Sequence, residues 1–309
     1  MSFQEKYYKY KNKYLRLKGN QLGGGLTEEI TDKNEILVFL PQLENIHDEY
    51  KTSKLLFIDF IDKETEKKIH IIKITLNQDK NKPVLFALAG MSHKSFMGTS
   101  SVIIPKLQLL ETKFKEVYLV EYADFTDEQN KACKKRDENM EKTKNPNEIF
   151  KPEQDMNDNI AEFLNNIILY NLKLKNVHLL GKCNGAWVVT LLLTKNKIYK
   201  GLYLAVPGIA FNVEALKSLS VGRLERINFV FGWDKRDGFL FKWKKKSNEE
   251  QKSNEEQKRY DTTMEEIQKN KRINLKYKSK MYNASTDEED GKKYHEIFPD
   301  MIDDIVESI

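Results

Sequence analysis

The sequence has little cysteine: two residues in 309, Cys133 and Cys183. Cys133 stands in the charged stretch Lys131–Asp137, which reads as a loop, and Cys183 on a turn between two apolar runs. A structural disulfide is therefore not expected, and a reducing, intracellular compartment is. No stretch approaches 18 consecutive apolar residues, which excludes a spanning helix. The first residues lack the apolar core of a secretory signal. An excess of one charge is also lacking, with Lys+Arg 52 against Asp+Glu 47 and a net +5. The lysines interleave with Asn and Glu and read as solvated faces, so no nucleic-acid partner is expected. Histidine is scarce too: His47, His70, His93, His178 and His295 are all there are. The choice of a general base is correspondingly narrow.

The most organised stretch is Asn176–Leu193. An apolar run, Val177–Leu180, is interrupted only by His178 and stops at Gly181. Lys182, Cys183, Asn184 and Gly185 follow, and then a second apolar run. The pattern predicts a strand, a tight turn and a helix over 184–195, with cysteine at the apex of Gly-x-Cys-x-Gly. A side chain at such an apex is held in a strained backbone conformation. Strand and helix backbones pass close by, and flanking glycines leave room for them. The free N–H groups at the start of the helix favour negative charge at the turn.

The rest of the chain alternates between elements. Residues 1–25 form a separate basic, Tyr/Lys-rich tag ending in Gly23-Gly24-Gly25, suited to docking on another protein. The main domain is expected over 26–309. Ile36–Leu40 reads as a strand, and Leu55–Phe60 with Ile69–Thr75 as an antiparallel hairpin. Pro83–Ala89 is apolar throughout, as in a strand buried on both faces. A helix from Met97 to Glu111 should bend or restart at Pro105. Val117–Glu121 is a strand. Asp124–Gln154 is polar with little periodicity and reads as a surface excursion, one of two insertions expected near 124–154 and 241–272. Helix 156–172, strand Gly201–Val206, a helical crossover over 209–224, strand Ile227–Phe231, helix 255–270, an edge strand at Ile273–Met281 and a last helix at Asp300–Ser308 complete the pattern. Strands alternating with helices predict an α/β fold with a mostly parallel, doubly wound sheet and an antiparallel N-terminal hairpin.

A thiol nucleophile needs a base, and the base an orienting carboxylate. His178 lies within the elbow strand and reads as core; His70 lies in the hairpin and His47 in an early loop. His295 and His93 remain, both at the carboxyl edge of the predicted sheet. His295 is the preferred base, because it follows the last strand and precedes the last helix. The loop after strand 227–231 offers two acids, Asp234 and Asp237, and both stay open.

These residues resemble the α/β-hydrolases over roughly residues 50–309. The order Cys183, Asp234 or Asp237, His295 matches the family's nucleophile–acid–histidine order. His295-Glu296-Ile297-Phe298-Pro299-Asp300-Met301-Ile302 is similar to the segment that follows the family's catalytic histidine. A cysteine nucleophile is similar to dienelactone hydrolases and polyhydroxyalkanoate synthases. The family's Gly-x-x-Asp spacing falls on Lys235. Counting from Gly232 favours Asp234, whereas the apolar Phe239 and Leu240 favour Asp237. The resemblance implies an oxyanion hole made by the backbone N–H groups of Met91 and Asn184. The N-terminal tag resembles the Tyr/Lys-rich, glycine-ended N-termini of many giant mimivirus-like virus proteins, implying a virion or host-cytoplasm location.

The expectation is a hydrolase acting on a small ester, lactone or thioester without a cofactor or metal. An acyltransferase on the same residues and a catalytically silent virion or interaction protein are the alternatives.

Overall fold

A computed structural model describes residues 55–61, 66–90, 97–143, 145–205, 228–233, 280–281 and 299–309. Among the described residues, eight strands run in the order β1-β2-β4-β3-β5-β6-β7-β8. They are β1 (Leu55–Ile61), β2 (Lys68–Thr75), β3 (Val84–Leu88), β4 (Glu116–Glu121), β5 (Val177–Lys182), β6 (Tyr199–Ala205), β7 (Asn228–Trp233) and β8 (Lys280–Met281). The β1–β2 and β2–β4 pairs are antiparallel. Every other pair is parallel. The fold is thus a mostly parallel α/β sheet with an antiparallel N-terminal hairpin, as the sequence pattern predicts.

Six helices flank the sheet among the described residues: α1 (Met97–Ile103), α2 (Leu107–Glu111), α3 (Thr126–Lys142), α4 (Pro146–Asn166), α5 (Asn184–Lys195) and α6 (Pro299–Glu307). The buried residues divide into two clusters. One joins the sheet to α3, α4 and α5, through residues such as Ala132, Ile160, Leu164 and Val188. The other joins it to α1, α2 and α6, through Ile103, Leu107, Leu110, Ile302 and Ile305. Helices therefore cover both faces, and the central strands β3 and β5 are buried along their whole length. The restart at Pro105 is present as a 3-10 turn over Ile104–Lys106, between α1 and α2.

The surface excursion read at Asp124–Gln154 is a correction: most of it is helix, forming α3 and the start of α4. Periodicity missed α3 because the helix buries Gln129 and Ala132 rather than a row of large apolar side chains. It follows that Cys133 sits on a helix, not in a loop. α4 carries Pro152 in its interior. Proline has no N–H to give to the carbonyl four residues back. Here the Glu148 carbonyl instead accepts a bond from Asn139 Nδ2 at 2.9 Å. The helix expected over 156–172 thus begins ten residues earlier, and it ends in a π-turn over Ile167–Asn171. The tag over 1–25, the strand at Ile36–Leu40, the helices over 209–224 and 255–270, the insertion near 241–272 and most of Ile273–Met281 lie outside the described residues.

Candidate active site

The site is built on the junction of β5 and α5. Cys183 stands alone between Lys182, which ends β5, and Asn184, which opens α5. Its backbone has φ 51° and ψ −118°. That region is sparsely populated for any residue with a Cβ, and costs about 1–3 kcal/mol. Two hydrogen bonds hold the turn there. The Cys183 N–H donates to the Ala205 carbonyl at 3.0 Å, and the Ala186 N–H donates to the Cys183 carbonyl at 3.1 Å. The cysteine is free and partly exposed.

Both flanking glycines are dictated by close backbone approach. A Cβ on Gly181 would lie 2.6 Å from the Ala186 Cα and closer still to the Gly185 carbonyl. A Cβ on Gly185 would lie 2.8 Å from the Leu88 carbonyl oxygen and closer still to that of Ala89. The first turn of α5 thus rests directly on the exit of β3. The strained turn and its glycine spacing are those of a nucleophile elbow.

A buried polar group surrounds the turn, and sequence reasoning missed it. Tyr122, next in sequence to the end of β4, is 4% exposed. Its hydroxyl donates to the Ala89 carbonyl at 2.9 Å. Burial pushes the Tyr122 phenol well above its ordinary range. The polar side chains of Asn184 and Gln129 oppose that rise, while the neighbouring Cys183 adds to it. Asn184 and Asn157 exchange a reciprocal pair of amide hydrogen bonds, 3.1 Å from Asn157 Nδ2 to Asn184 Oδ1 and 3.0 Å in return. Asn157 is fully buried. One signal was readable: Asn157 falls on the stripe shared by Ile160, Ala161, Leu164 and Ile168, where an apolar residue is expected. Nothing in the sequence marked Tyr122.

Two histidines are described, and both are excluded as the base of Cys183. His178 is 3% exposed and shares a 2.6 Å hydrogen bond through Nδ1 with the Tyr203 hydroxyl. It lies five residues back along β5, about 17 Å at strand rise. Burial pulls its pKa down to about 4, consistent with a neutral core histidine. His70 pairs with Asp59 at 2.6 Å on the hairpin. Three strand spacings separate β2 from β5, about 14 Å. Cys183 and Asn184 are the predicted site residues the structure places. Met91, His93, Asp234, Asp237 and His295 lie outside the described residues, as does His47.

The second cysteine is set differently. Cys133 Sγ donates to Glu153 Oε1 at 3.2 Å, and Arg136 Nη1 donates to the same oxygen at 2.7 Å. Burial, then the Glu153 charge, pushes the Cys133 thiol up to about 12. Among the described residues no group of three or more His, Cys, Asp or Glu could hold a metal ion. No described helix is long and apolar enough to cross a membrane.

The sheet order and the strained turn decide the architecture. The fold is of the α/β-hydrolase type. No protein-family model matches the chain, and no curated protein matches it in sequence. Solved structures similar to it include a predicted CIB-like hydrolase from Thermoplasma acidophilum, 13% identical, covering 60% of this chain and 77% of that one at TM-score 0.40. A thermostable esterase is 13% identical, covering 78% of this chain and 58% of its own at TM-score 0.48. An esterase from Pyrococcus furiosus is 12% identical, covering 71% and 79% at TM-score 0.43. At such identities and TM-scores these likenesses carry nothing about chemistry, which has to come from the side chains of this chain.

Proposed function

We propose that the protein is an acyl hydrolase that uses Cys183 as nucleophile, His295 as general base and Asp234 or Asp237 as the orienting acid. One observation carries the reading: the strained backbone of Cys183, φ 51° and ψ −118°, at a strand-to-helix junction whose glycines admit no side chain. A cysteine buried for packing has no need of that conformation, whereas a nucleophile presented at a sheet edge does. Sequence distance favours Asp234 as a group at the same edge. It is bonded to Trp233, the last residue of β7, two strands from β5.

In the proposed reaction the Cys183 sulfur attacks the carbonyl carbon of an ester, lactone or thioester, and its proton passes to the His295 ring. The carbonyl π-pair moves onto oxygen, where the N–H groups of Asn184 and Met91 receive it. The tetrahedral centre collapses, the alcohol or thiol leaves with the proton from His295, and an acyl-thioester remains on Cys183. Water then attacks that thioester and gives its proton to His295. The acid departs as the C–S bond breaks and the sulfur recovers a proton. Each backbone donor of such a hole is worth about 3 kcal/mol in the transition state.

The test is turnover of p-nitrophenyl esters, lactones and acyl thioesters by the wild type and by Cys183→Ala, with intact-mass detection of the acyl adduct. The expected result is an adduct on wild type and no turnover by the variant. Full activity in Cys183→Ala on every substrate the wild type turns over overturns the reading.

A further inference from the structure

The parallel strands β3, β4, β5 and β6 all begin at one edge of the sheet, the edge away from Cys183. The segments that lead into them lie side by side and are stitched by backbone hydrogen bonds. The Lys115 N–H donates to the Pro83 carbonyl at 3.0 Å, the Val84 N–H to that of Asn176 at 2.9 Å, and the Val177 N–H to that of Ile198 at 3.0 Å. Each segment carries lysine. Lys80 and Lys82 stand in 76–83, Lys113 and Lys115 in 112–115, Lys173 and Lys175 in 172–176, and Lys197 in 196–198. Against them, Asp79 is the single carboxylate side chain in the four segments. The chain as a whole is nearly balanced, with Lys+Arg 52 against Asp+Glu 47, so overall composition does not account for this edge.

Packing sets out the lysines. Phe114, between Lys113 and Lys115, is buried, and Leu174, between Lys173 and Lys175, packs on the core. Lys80, Lys173, Lys175 and Lys197 are left exposed. The ammonium groups of Lys82 and Lys115 rest on backbone carbonyls, of Glu111 at 2.9 Å and of Lys80 at 3.4 Å. Those are neutral acceptors and leave the positive charge in place. Lys173 is held at φ 52°, where the chain leaves the π-turn after α4 and the Leu174 N–H donates back to the Ile168 carbonyl. Glycine is the usual residue in such a left-handed position at a helix end, and here a lysine is kept there. Tyr170, just before it in the chain, is exposed as well.

We infer that this edge is a docking surface for an anionic phospholipid membrane, with the lysines over the headgroups and Tyr170 at headgroup depth. Cys183 then lies at the opposite end of β5, about 20 Å from the membrane-facing edge. Nucleic acid is the other common polyanion. It is gripped by arginine forks and by rings stacked on successive bases. The four segments have no arginine, and their one aromatic residue, Phe114, is buried. The inference is independent of the acyl chemistry proposed at Cys183.

Sedimentation of the full chain with vesicles tests it. Phosphatidylcholine vesicles that contain phosphatidylserine should bind the protein, and pure phosphatidylcholine should not. Salt at about 1 M should release it, because the screening length falls to about 3 Å from about 10 Å at about 0.1 M. Each lysine near such a surface contributes about fivefold in partitioning. Lys173→Gly, which relieves the left-handed backbone, should lower partitioning about fivefold while unfolding no earlier in urea than wild type. Lys173→Gln combined with Lys175→Gln should lower it on the order of twentyfold. Lys134→Gln combined with Lys135→Gln, the same charge change at two exposed lysines of α3, should lower it by less than about twofold. No sedimentation with the anionic vesicles, equal sedimentation with both kinds, or equal weakening by the α3 pair and the Lys173 and Lys175 pair overturns the inference. Capture of DNA in preference to vesicles of the same anionic charge overturns the membrane as partner.

Discussion

Gly185 lies against Ala89 so closely that no Cβ fits between them. The contact is backbone on backbone, so neither side can rotate away to make room. Gly185→Ala is expected to destabilise the protein by about 1–3 kcal/mol and to lower acylation of Cys183 as well, since relief requires α5 to lift off the β3 exit. Urea unfolding and the p-nitrophenol burst measure the two effects. A variant with wild-type stability would mean that the close approach is not a constraint.

Cys183 itself makes the opposite trade. Its φ of 51° is unfavourable for any residue with a Cβ. Cys183→Gly should therefore gain about 1 kcal/mol of stability while losing all turnover, and Cys183→Ala should lose turnover with little gain. Thermal or urea unfolding of the pair decides it. If Cys183→Gly is no more stable than Cys183→Ala, the turn is not strained.

His178 predicts a dependence on acid. Its pKa is depressed to about 4 in the fold. An exposed histidine titrates near 6.5. The unfolded chain therefore binds a proton that the folded chain does not between those values, and stability rises with pH there. The contribution is fully present above about pH 6.5 and is lost as pH falls towards 4, by about 3 kcal/mol. His178→Gln, which does not titrate, should show a flatter loss over that window in urea titrations from pH 7 to 4. An unchanged slope would show that His178 does not carry the acid sensitivity.

The two cysteines should label at different rates. The Cys133 thiol is pushed up to about 12, by burial first and then by the Glu153 charge. Its thiolate fraction at pH 8 is on the order of one in ten thousand. Iodoacetamide at pH 8 is expected to alkylate Cys183 well before Cys133, and Glu153→Gln should speed labelling at Cys133 by removing the neighbouring charge. Peptide mass spectrometry of a time course gives both rates. Equal rates at the two thiols would contradict the environment assigned to Cys133.

Much of the fold was legible in the chain because burial and turn chemistry leave local traces. The all-apolar Val84–Leu88, the hairpin of Leu55–Ile61 with Lys68–Thr75, and the break at Pro105 each follow from a few neighbouring residues. The elbow was legible for the same reason: two glycines and an apex side chain report their own backbone. α3 was not, because its buried stripe of Gln129 and Ala132 carries no apolar period. Tyr122 was not, because it matters through a partner 33 residues away; Asn157 was marked only as a polar break in an apolar stripe, and its partner 27 residues on was not.

By itself, the sequence determined the strand-to-helix turn, the cysteine at its apex and the alternation that makes a parallel sheet, since periodicity and glycine spacing act over a few residues. Only the tertiary structure decided what surrounds the cysteine. The order of the strands brings the exit of β3 beside the first turn of α5, and there the Tyr122 hydroxyl donates to the Ala89 carbonyl. Hydrogen-bond partners brought together by sheet order leave no trace in local pattern. The glycines of the elbow are visible in the sequence as a motif, but the carbonyls of Leu88 and Ala89 that require Gly185 become visible only once the chain has folded.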